Sequence, residues 1–348
     1  MQAKTPKPPR ASIRDVASRA GVSAMTVSNV LRQRTDRISQ PTLERVMRAL
    51  NELQYIPVRS TVQNRHSSTN VLGVVFNHAM WAYVGQETFR GMSERAKELD
   101  YDLLMILRAQ PDWLNEGTEA QFLDRRCDGY IFVGQPRPEL STILVDHGIP
   151  VVEAYSECGT QGVSRCTPDN AEAMRMSVDH LWSLGHRRIA HVAGPYDNGE
   201  ADTRLSGYLE RMAHYGVQNP EKWVVRGCGW DYKGRDLHEL GLPDDMTDAL
   251  LSFGVTGVVA ANDGLAFGVI NVLRDRGLRV PEDMSVVGMD DAPDATFFGL
   301  STIRVPFSRV GRCTIDSIVA LTKQPEHPIH NNTPVELIAR TSTAPPHS

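Results

Sequence analysis

Between Ser12 and Leu31 the apolar positions recur at helical spacing in two short bursts separated by a glycine. Ile13, Val16, Ala17 and Ala20 predict a first helix, which Ser12 and Asp15, three residues apart, can cap reciprocally. Gly21 then breaks the pattern, and Thr26, Val27, Val30 and Leu31 predict a second helix whose apolar side faces the first. Ala24, Met25, Ser28 and Asn29 are left on its outer side. A third helix is expected from Pro41 to Leu53, with Leu43, Val46, Met47, Leu50 and Leu53 on one face. Two short helices about a glycine turn fit a helix-turn-helix, whose second helix enters the major groove of DNA. They also fit an amphipathic hairpin with no bearing on function, and periodicity alone does not separate the two.

Beyond a polar stretch from Pro57 to Asn70, PVRSTVQNRHSSTN, which reads as a linker, the pattern changes. Short apolar runs at 71–76, 101–107, 128–134 and 149–155 alternate with helical stretches near 85–99, 115–126 and 138–147. A second series follows: helix 169–184, strand 187–194, helix 201–215, strand 222–227, helix near 233–253, strand 256–262, helix 263–276 and strand 284–291. Such alternation predicts parallel, doubly wound sheets, here in two stacked α/β lobes.

Charge changes the reading of the first segment. Residues 1–66 carry twelve Lys and Arg against Asp15, Asp36, Glu44 and Glu52, an excess of eight, while the whole chain is −5, leaving −13 on residues 67–348. Basic charge confined to one end suits a nucleic-acid module attached to something else. Residues 1–10, rich in Lys and Pro, are expected to be a disordered basic tail. The apolar runs are far shorter than the ~20 residues of a membrane span, and the N-terminal stretch has charge but no apolar core of a secretory signal. A cytoplasmic protein without membrane contact is expected. Cys127, Cys158, Cys166, Cys228 and Cys313 are widely separated with no CxxC pair, which reads as free thiols rather than a disulfide framework or zinc site. His186 and His191 flank a strand but lack further ligands, so no metal and no cofactor are expected.

The segments Asp15-Val16-Ala17, Ala20-Gly21-Val22-Ser23, Thr26-Val27-Ser28, Val30-Leu31 and Tyr55-Ile56-Pro57 resemble the DNA-binding headpiece of the lactose-repressor (LacI/GalR) family of bacterial regulators. The likeness runs on through Asp169-Asn170, Leu184 to Ala190, Arg204 with Gly207-Tyr208, Asn262-Asp263, Val280-Pro281 and Val287 to Asp291, which resemble that family's two-lobed effector domain. It implies an all-α helix-turn-helix DNA-binding headpiece (11–56), a hinge (57–70), and an α/β effector and dimerisation domain of the periplasmic-binding-protein-like type I fold (71–348). Three crossings between lobes would place 71–166 and about 304–331 in lobe 1, and 167–303 with about 332–345 in lobe 2. A homodimer on a roughly palindromic, double-stranded operator is expected, because one such headpiece reads too few bases alone. The tail after Arg340 has no heptad pattern for a tetramer.

In the second helix the family's base-reading positions fall on Ala24, Met25 and Asn29, while Thr26 and Ser28 are better placed for phosphates; Ser12, before the first helix, is also expected to contact DNA. Asn pairs bidentately with adenine, and Ala24 and Met25 offer only apolar contact to a thymine methyl. In the hinge, Arg59 and Arg65 can reach phosphates. Asn64 stands where relatives carry a leucine that wedges into the minor groove, with Val58 and Thr61 also departing from the pattern, so weaker bending of the operator is expected.

Ligands of open α/β sheets sit beyond the carboxyl ends of the strands. By resemblance, Arg204 forks onto effector oxygens, Asn262 and Asp290 hold hydroxyls, and Trp230 and Phe307 offer apolar faces. A surface salt bridge for Arg204, and a helix cap or a turn after a strand for Asp290, are the plain alternatives. Lobe 1 offers Asn77, Trp81, Tyr83, Arg108, Gln135, Glu153 and Tyr155, for which core or solvated roles are equally open. The mixture suits a sugar, and Arg108 opposite Arg204 admits a sugar acid. The sequence thus points to a ligand-responsive transcription regulator, expected to be a repressor. A sugar-metabolising enzyme of doubly wound fold lacks GxxxxGK[ST], GxSxG and GxGxxG motifs at the required places, and a secreted sugar-binding protein would carry no basic headpiece.

Overall fold

Capping side chains set the ends of the helices in the first of two units, Met1–Ser67. The computed structural model describes residues 12–31, 34, 38–53, 68–77, 83–108, 120–123, 126–134, 138–156, 160, 162–196, 198–226, 229–230, 242–324 and 328–347, with the backbone alone at 51, 77, 107, 108 and 120. Helix α1 (Ile13–Ala20) opens on a capping box, Ser12 N donating to Asp15 at 2.7 Å and Asp15 N to Ser12 Oγ at 3.3 Å. Gly21, at φ 65°, ends it in the left-handed conformation that a side chain disfavours. Helix α2 (Ala24–Leu31) starts with Thr26 N donating to Ser23 Oγ at 3.1 Å, and α3 (Gln40–Glu52) closes the unit. Val16, Ala17, Ala20, Val27, Val30, Val46 and Ala49 are buried together, so the three helices share one small core.

The second unit, Ser68–Ser348, holds two six-stranded sheets. In chain order its first elements are β1 (Val71–Asn77), α4 (Tyr83–Glu98), β2 (Asp102–Arg108), α5 (Ala120–Leu123), β3 (Gly129–Val133), α6 (Pro138–Asp146), β4 (Val151–Ala154) and β5 (Ser164–Pro168). There follow α7 (Asn170–Ser183), β6 (Ile189–Val192), α8 (Gly199–His214), β7 (Val224–Val225), α9 (Asp244–Ser252), β8 (Gly257–Ala260), α10 (Asp263–Asp275), β9 (Ser285–Asp290), α11 (Pro293–Phe297) and β10 (Ser301–Arg304). Last come α12 (Phe307–Lys323), β11 (His330–Thr333) and β12 (Glu336–Ile338). The sheet orders are β11-β5-β4-β3-β1-β2 and β12-β10-β9-β8-β6-β7, parallel throughout except that β12 runs antiparallel to β10. Each sheet therefore reverses its strand order once, between β1 and β3 and between β6 and β8, and a crevice forms beyond the carboxyl ends at such a point.

The chain passes between the sheets three times: from β5 into α7, from β10 into α12, and from β11 into β12. Thr333 still pairs with Pro168 in the first sheet, so the last passage lies between Thr333 and Glu336. Several runs shrink or appear relative to the expected pattern. The run 222–227 yields only Val224–Val225, because Pro220–Trp223 turns as a 3-10 helix. Strands β5, β10, β11 and β12 and helices α11 and α12 lie outside the expected series; β11, HNNT, is wholly polar.

Helices α4 and α12 pack backbone to backbone on the first sheet. A Cβ at Gly311 would stand 2.1 Å from the Thr88 carbonyl oxygen, and one at Gly91 would stand 1.9 Å from that of Ser308. These contacts are with backbone and cannot yield by a rotamer change. Gly311→Ala is therefore expected to cost at least the ~1–3 kcal/mol of ordinary overpacking, read as a lowered melting temperature of the second unit. An unchanged melting temperature would mean that the two helices separate freely.

Candidate functional site

The outer side of α2 is the chemically open face of the first unit. Met25 is 70 % exposed and Ala24 is exposed beside it, whereas Val27 and Val30 are buried. Thr26, Ser28 and Asn29 are partly buried, and the Thr26 hydroxyl is within 2.9 Å of Ser23 Oγ. Ser12, another residue expected to meet DNA, holds the start of α1. The hinge positions Val58, Arg59, Thr61, Asn64 and Arg65 lie outside the described residues.

In the second unit, side chains beyond the strand ends converge. Arg204, in the second turn of α8, is buried rather than forming a surface salt bridge. Its Nε donates to Asn170 Oδ1 at 2.8 Å and its Nη1 to the Ala261 carbonyl at 2.6 Å, and the guanidinium lies 5.0 Å from the Trp230 ring centroid. Asn170 in turn donates to the buried Glu200. Asn262, directly after β8, caps α10 by accepting from Leu265 N at 2.8 Å. These partners, Asn170 at the start of α7 and Ala261 just after β8, fix the Arg204 fork.

Asp290 ends β9 with φ 127°, and Asp291 follows at φ 53°, two successive non-glycine residues in conformations that cost on the order of 1–3 kcal/mol each. The surroundings hold them there. Asp291 accepts from Arg304 at 2.8 Å and Arg340 at 2.6 Å, and buried Asp263 accepts from Ala292 N at 2.8 Å and Thr302 Oγ1 at 2.6 Å. Ala292, not Asp290, occupies the cap position of α11. Among the described residues nothing donates to the Asp290 carboxylate. Burial pushes Asp290 up to about 8; the Arg204 charge opposes the rise and Asp263 adds to it. Asp263 is itself raised to about 6 by burial, against the bonds from Thr302 and Ala292.

From the first sheet, Phe307 at the start of α12 meets Tyr83 edge-on at 5.8 Å between centroids and Tyr155 at 6.2 Å. The Tyr155 hydroxyl pairs with Thr88 Oγ1 at 2.6 Å, and burial raises its phenol, with the Glu200 and Asp290 charges adding. Burial likewise raises Tyr83, helped by Glu87, Asp291 and Asp290. Charges of the second sheet thus act on aromatic rings of the first, which brings Tyr83, Tyr155 and Phe307 near Asp290. Glu153 does not join them: its carboxylate accepts from Ser141 on α6 at 2.7 Å and from Thr160 at 3.4 Å. Asn77 and Arg108 pair with each other across β1 and β2, with only their backbones described; Trp81 and Gln135 lie outside the described residues.

Asn170, Glu200, Asp263 and Tyr83 belong to this constellation, although only Tyr83 stands out as a strand-end candidate in the sequence. Asp169-Asn170 and Asn262-Asp263 were visible as motifs, but their partners lie tens of residues away. His186 bonds Thr256 and the Ala344 carbonyl, and His191 bonds the Val259 carbonyl at 2.8 Å, roles that tie strands together. Burial lowers His191 to about 4. Among the described residues no group of three or more His, Cys, Asp or Glu is arranged to hold a metal ion, and no helix is long and apolar enough to cross a membrane.

Residues 12–58 match the family model described as bacterial regulatory proteins, lacI family, and residues 178–343 match that of the periplasmic binding protein-like domain. The lactose operon repressor of Escherichia coli (strain K12) is 29 % identical over 350 residues, spanning 96 % of this chain and 91 % of that protein. A structure of a transcriptional regulator CelR-cellobiose complex superposes with a TM-score of 0.69 at 27 % identity, over 96 % of this chain and all of that one. The Lac repressor dimer bound to operator and the anti-inducer ONPF has the same fold, with a TM-score of 0.81 at 24 % identity over 97 % of this chain and 100 % of that one.

Proposed function

Because the chain belongs to the lacI family of bacterial regulatory proteins, we propose that it is a transcriptional repressor whose grip on an operator is set by a small polyhydroxylated ligand held between its two sheets. Its relatives include the lactose operon repressor, the transcriptional repressor PurR and the transcriptional regulator AscG. The observation that carries the ligand half is Asp290, a carboxylate with no donor among the described residues, facing the fixed guanidinium of Arg204. A pair of adjacent hydroxyls satisfies Asp290, ring or hydroxyl oxygens satisfy Arg204 and Asn262, and the faces of Trp230 and Phe307 suit the apolar side of a sugar. A neutral sugar is the first choice. A sugar acid is the second, favoured by the buried Arg204, which has no carboxylate in direct contact among the described residues.

The DNA half rests on α2, whose exposed Ala24 and Met25 and half-buried Asn29 form a small reading surface. One such surface reads too few base pairs, so the repressor acts as a homodimer on two half-sites, in the cytoplasm and on the nucleoid when bound. Ligand binding alters operator affinity only through different affinities for the DNA-competent and incompetent states. Asn29 is assigned to an A·T pair. Asn29→Ala is expected to lose roughly 1–3 kcal/mol at that one pair, seen as relaxed preference there in operator selection followed by binding titrations. Equal weakening on every sequence would assign Asn29 to the DNA backbone instead.

A further inference from the structure

Among the three cysteines of the described residues, none in a pairing motif, two meet in three dimensions. Cys166 on β5 and Cys313 on α12, 147 residues apart, bring their sulfurs to 3.7 Å, with Cys166 donating to Cys313. This is thiol contact, well beyond the ~2.0 Å of a disulfide bond. Cys166 is buried and its sulfur also lies 3.4 Å from Ser317 Oγ, while Cys313 is half-buried. We propose that Cys166 and Cys313 are a peroxide-oxidisable dithiol, with Cys313 the attacking sulfur and Cys166 the resolving one.

Exposure assigns the roles: half-buried Cys313 is the sulfur that a small oxidant reaches, and Cys166, buried behind it, is the one left to resolve. The hydrogen bond from Cys166 lowers the Cys313 thiol against its partial burial, with Ser317 and Arg309, one turn earlier, helping and Asp316 resisting. Cys166 moves the other way, since burial and its neighbour both favour its protonated form. A thiolate that is accessible and next to a second thiol is the arrangement in which oxidation stops at a disulfide. The Cys313 thiolate attacks one oxygen of hydrogen peroxide, the O–O bond breaks, and Cys313 becomes a sulfenic acid as hydroxide leaves and takes up a proton. Cys166 then attacks the Cys313 sulfur, its proton passing to the departing hydroxyl, and a second water is released. Two thiols are oxidised to one disulfide and one peroxide is reduced to two waters.

The bond would stitch together two elements at the passages between the sheets. β5 ends at Pro168, just before the chain enters α7, and α12 begins at Phe307 in the aromatic wall. The chemistry of the pair is independent of the proposed sugar ligand.

The test is to treat the reduced full-length protein with a small excess of hydrogen peroxide, alkylate it, and map the peptides by mass. Three alkylated cysteines instead of five, with a Cys166–Cys313 linked peptide that dithiothreitol releases, is the expected result. In Cys166→Ser, Cys313 should be trapped as a sulfenic acid by dimedone, and in Cys313→Ser, Cys166 should stay reduced under the same conditions. Circular dichroism melts of both variants establish that they fold, and Cys166→Ala replaces the serine variant if it does not. Five alkylated cysteines after treatment, a link to any other cysteine, or sulfenic acid first at Cys166 would overturn the proposal.

Discussion

Asp290→Asn should abolish the ligand response of the second unit and at the same time raise the melting temperature of the unliganded protein between pH 6.5 and 8. The carboxylate is raised to about 8 in the folded chain, chiefly by burial, against an ordinary value near 3.8. The folded state therefore holds this proton more tightly than the unfolded state does. The stability that the protonated form contributes is fully present below pH ~4 and is lost as pH rises toward 8. His191 works in the opposite sense: lowered to about 4, it contributes stability that is present above its ordinary value of 6.5 and lost as pH falls through 4. Asp263, raised to about 6, follows Asp290 but is exhausted near that pH. Above pH 6.5 Asp290 keeps a falling slope, against which the lowered Cys313 thiol adds a rising one, and asparagine, which has the shape of the protonated acid and no charge, should remove the Asp290 part. The same substitution replaces a carboxyl that can ionise to accept from a ligand's hydroxyls with an amide that cannot. Thermal melts from pH 5 to 8.5, repeated against sugars, sugar acids, sugar phosphates and purines, check both halves. A ligand at a hundred times its Kd adds about 2.7 kcal/mol to the native protein, a shift that Asp290→Asn and Arg204→Ala should each erase. A variant that still responds would move the ligand out of this cleft, and an unchanged slope would mean that Asp290 is already ionised at neutral pH.

The tension within Asp290 explains which parts of the site a reader of the sequence can find. Arg204, Asn262 and Asp290 follow or flank apolar strand runs, and their motifs announce them. What makes Asp290 available lies elsewhere in the chain, in Asp263 of α10, Thr302 and Arg304 of β10, and Arg340 beyond β12, which hold the strained loop. Hydrophobic pattern is blind to such contacts. Glu153 shows the reverse case, because its place in β4 was legible and its direction was not. Val152 and Ala154 join one core cluster while Val151 joins another, so alternation turns Glu153 toward α6 and Ser141. Six of the strands found from sequence, β1, β3, β4, β6, β8 and β9, lie inside their sheets and are largely apolar because both faces are covered, while β2 and β7, at the outer edges, were found from their own apolar runs. β5 and β11 escaped because Ser164–Pro168 and His330–Thr333 are polar, the second lying at the edge of the sheet with one neighbour. Cys166 sits in that hidden strand, which is why its meeting with Cys313 could not be foreseen.

In the first unit the expected pattern and the helices agree closely, and that agreement carries the second large effect. Val27 is completely buried between α1, α2 and α3 in a core of seven buried residues. Val27→Asp places a carboxylate there with no cation to meet it, at a cost of several kcal/mol. A unit of this size, 67 residues with its tail, has only about 3–5 kcal/mol to lose. The headpiece should therefore unfold and operator binding should fall to the level of random DNA. Asn29→Ala, on the opposite side of the same helix, should leave the fold intact. The second unit has its own cores, so its melting transition and its ligand-induced shift should survive Val27→Asp unchanged. Calorimetry with a gel-shift titration on the selected operator separates the outcomes. Normal operator binding by Val27→Asp would remove α2 from DNA recognition. A parallel fall in the second unit's transition would show instead that the two units fold as one.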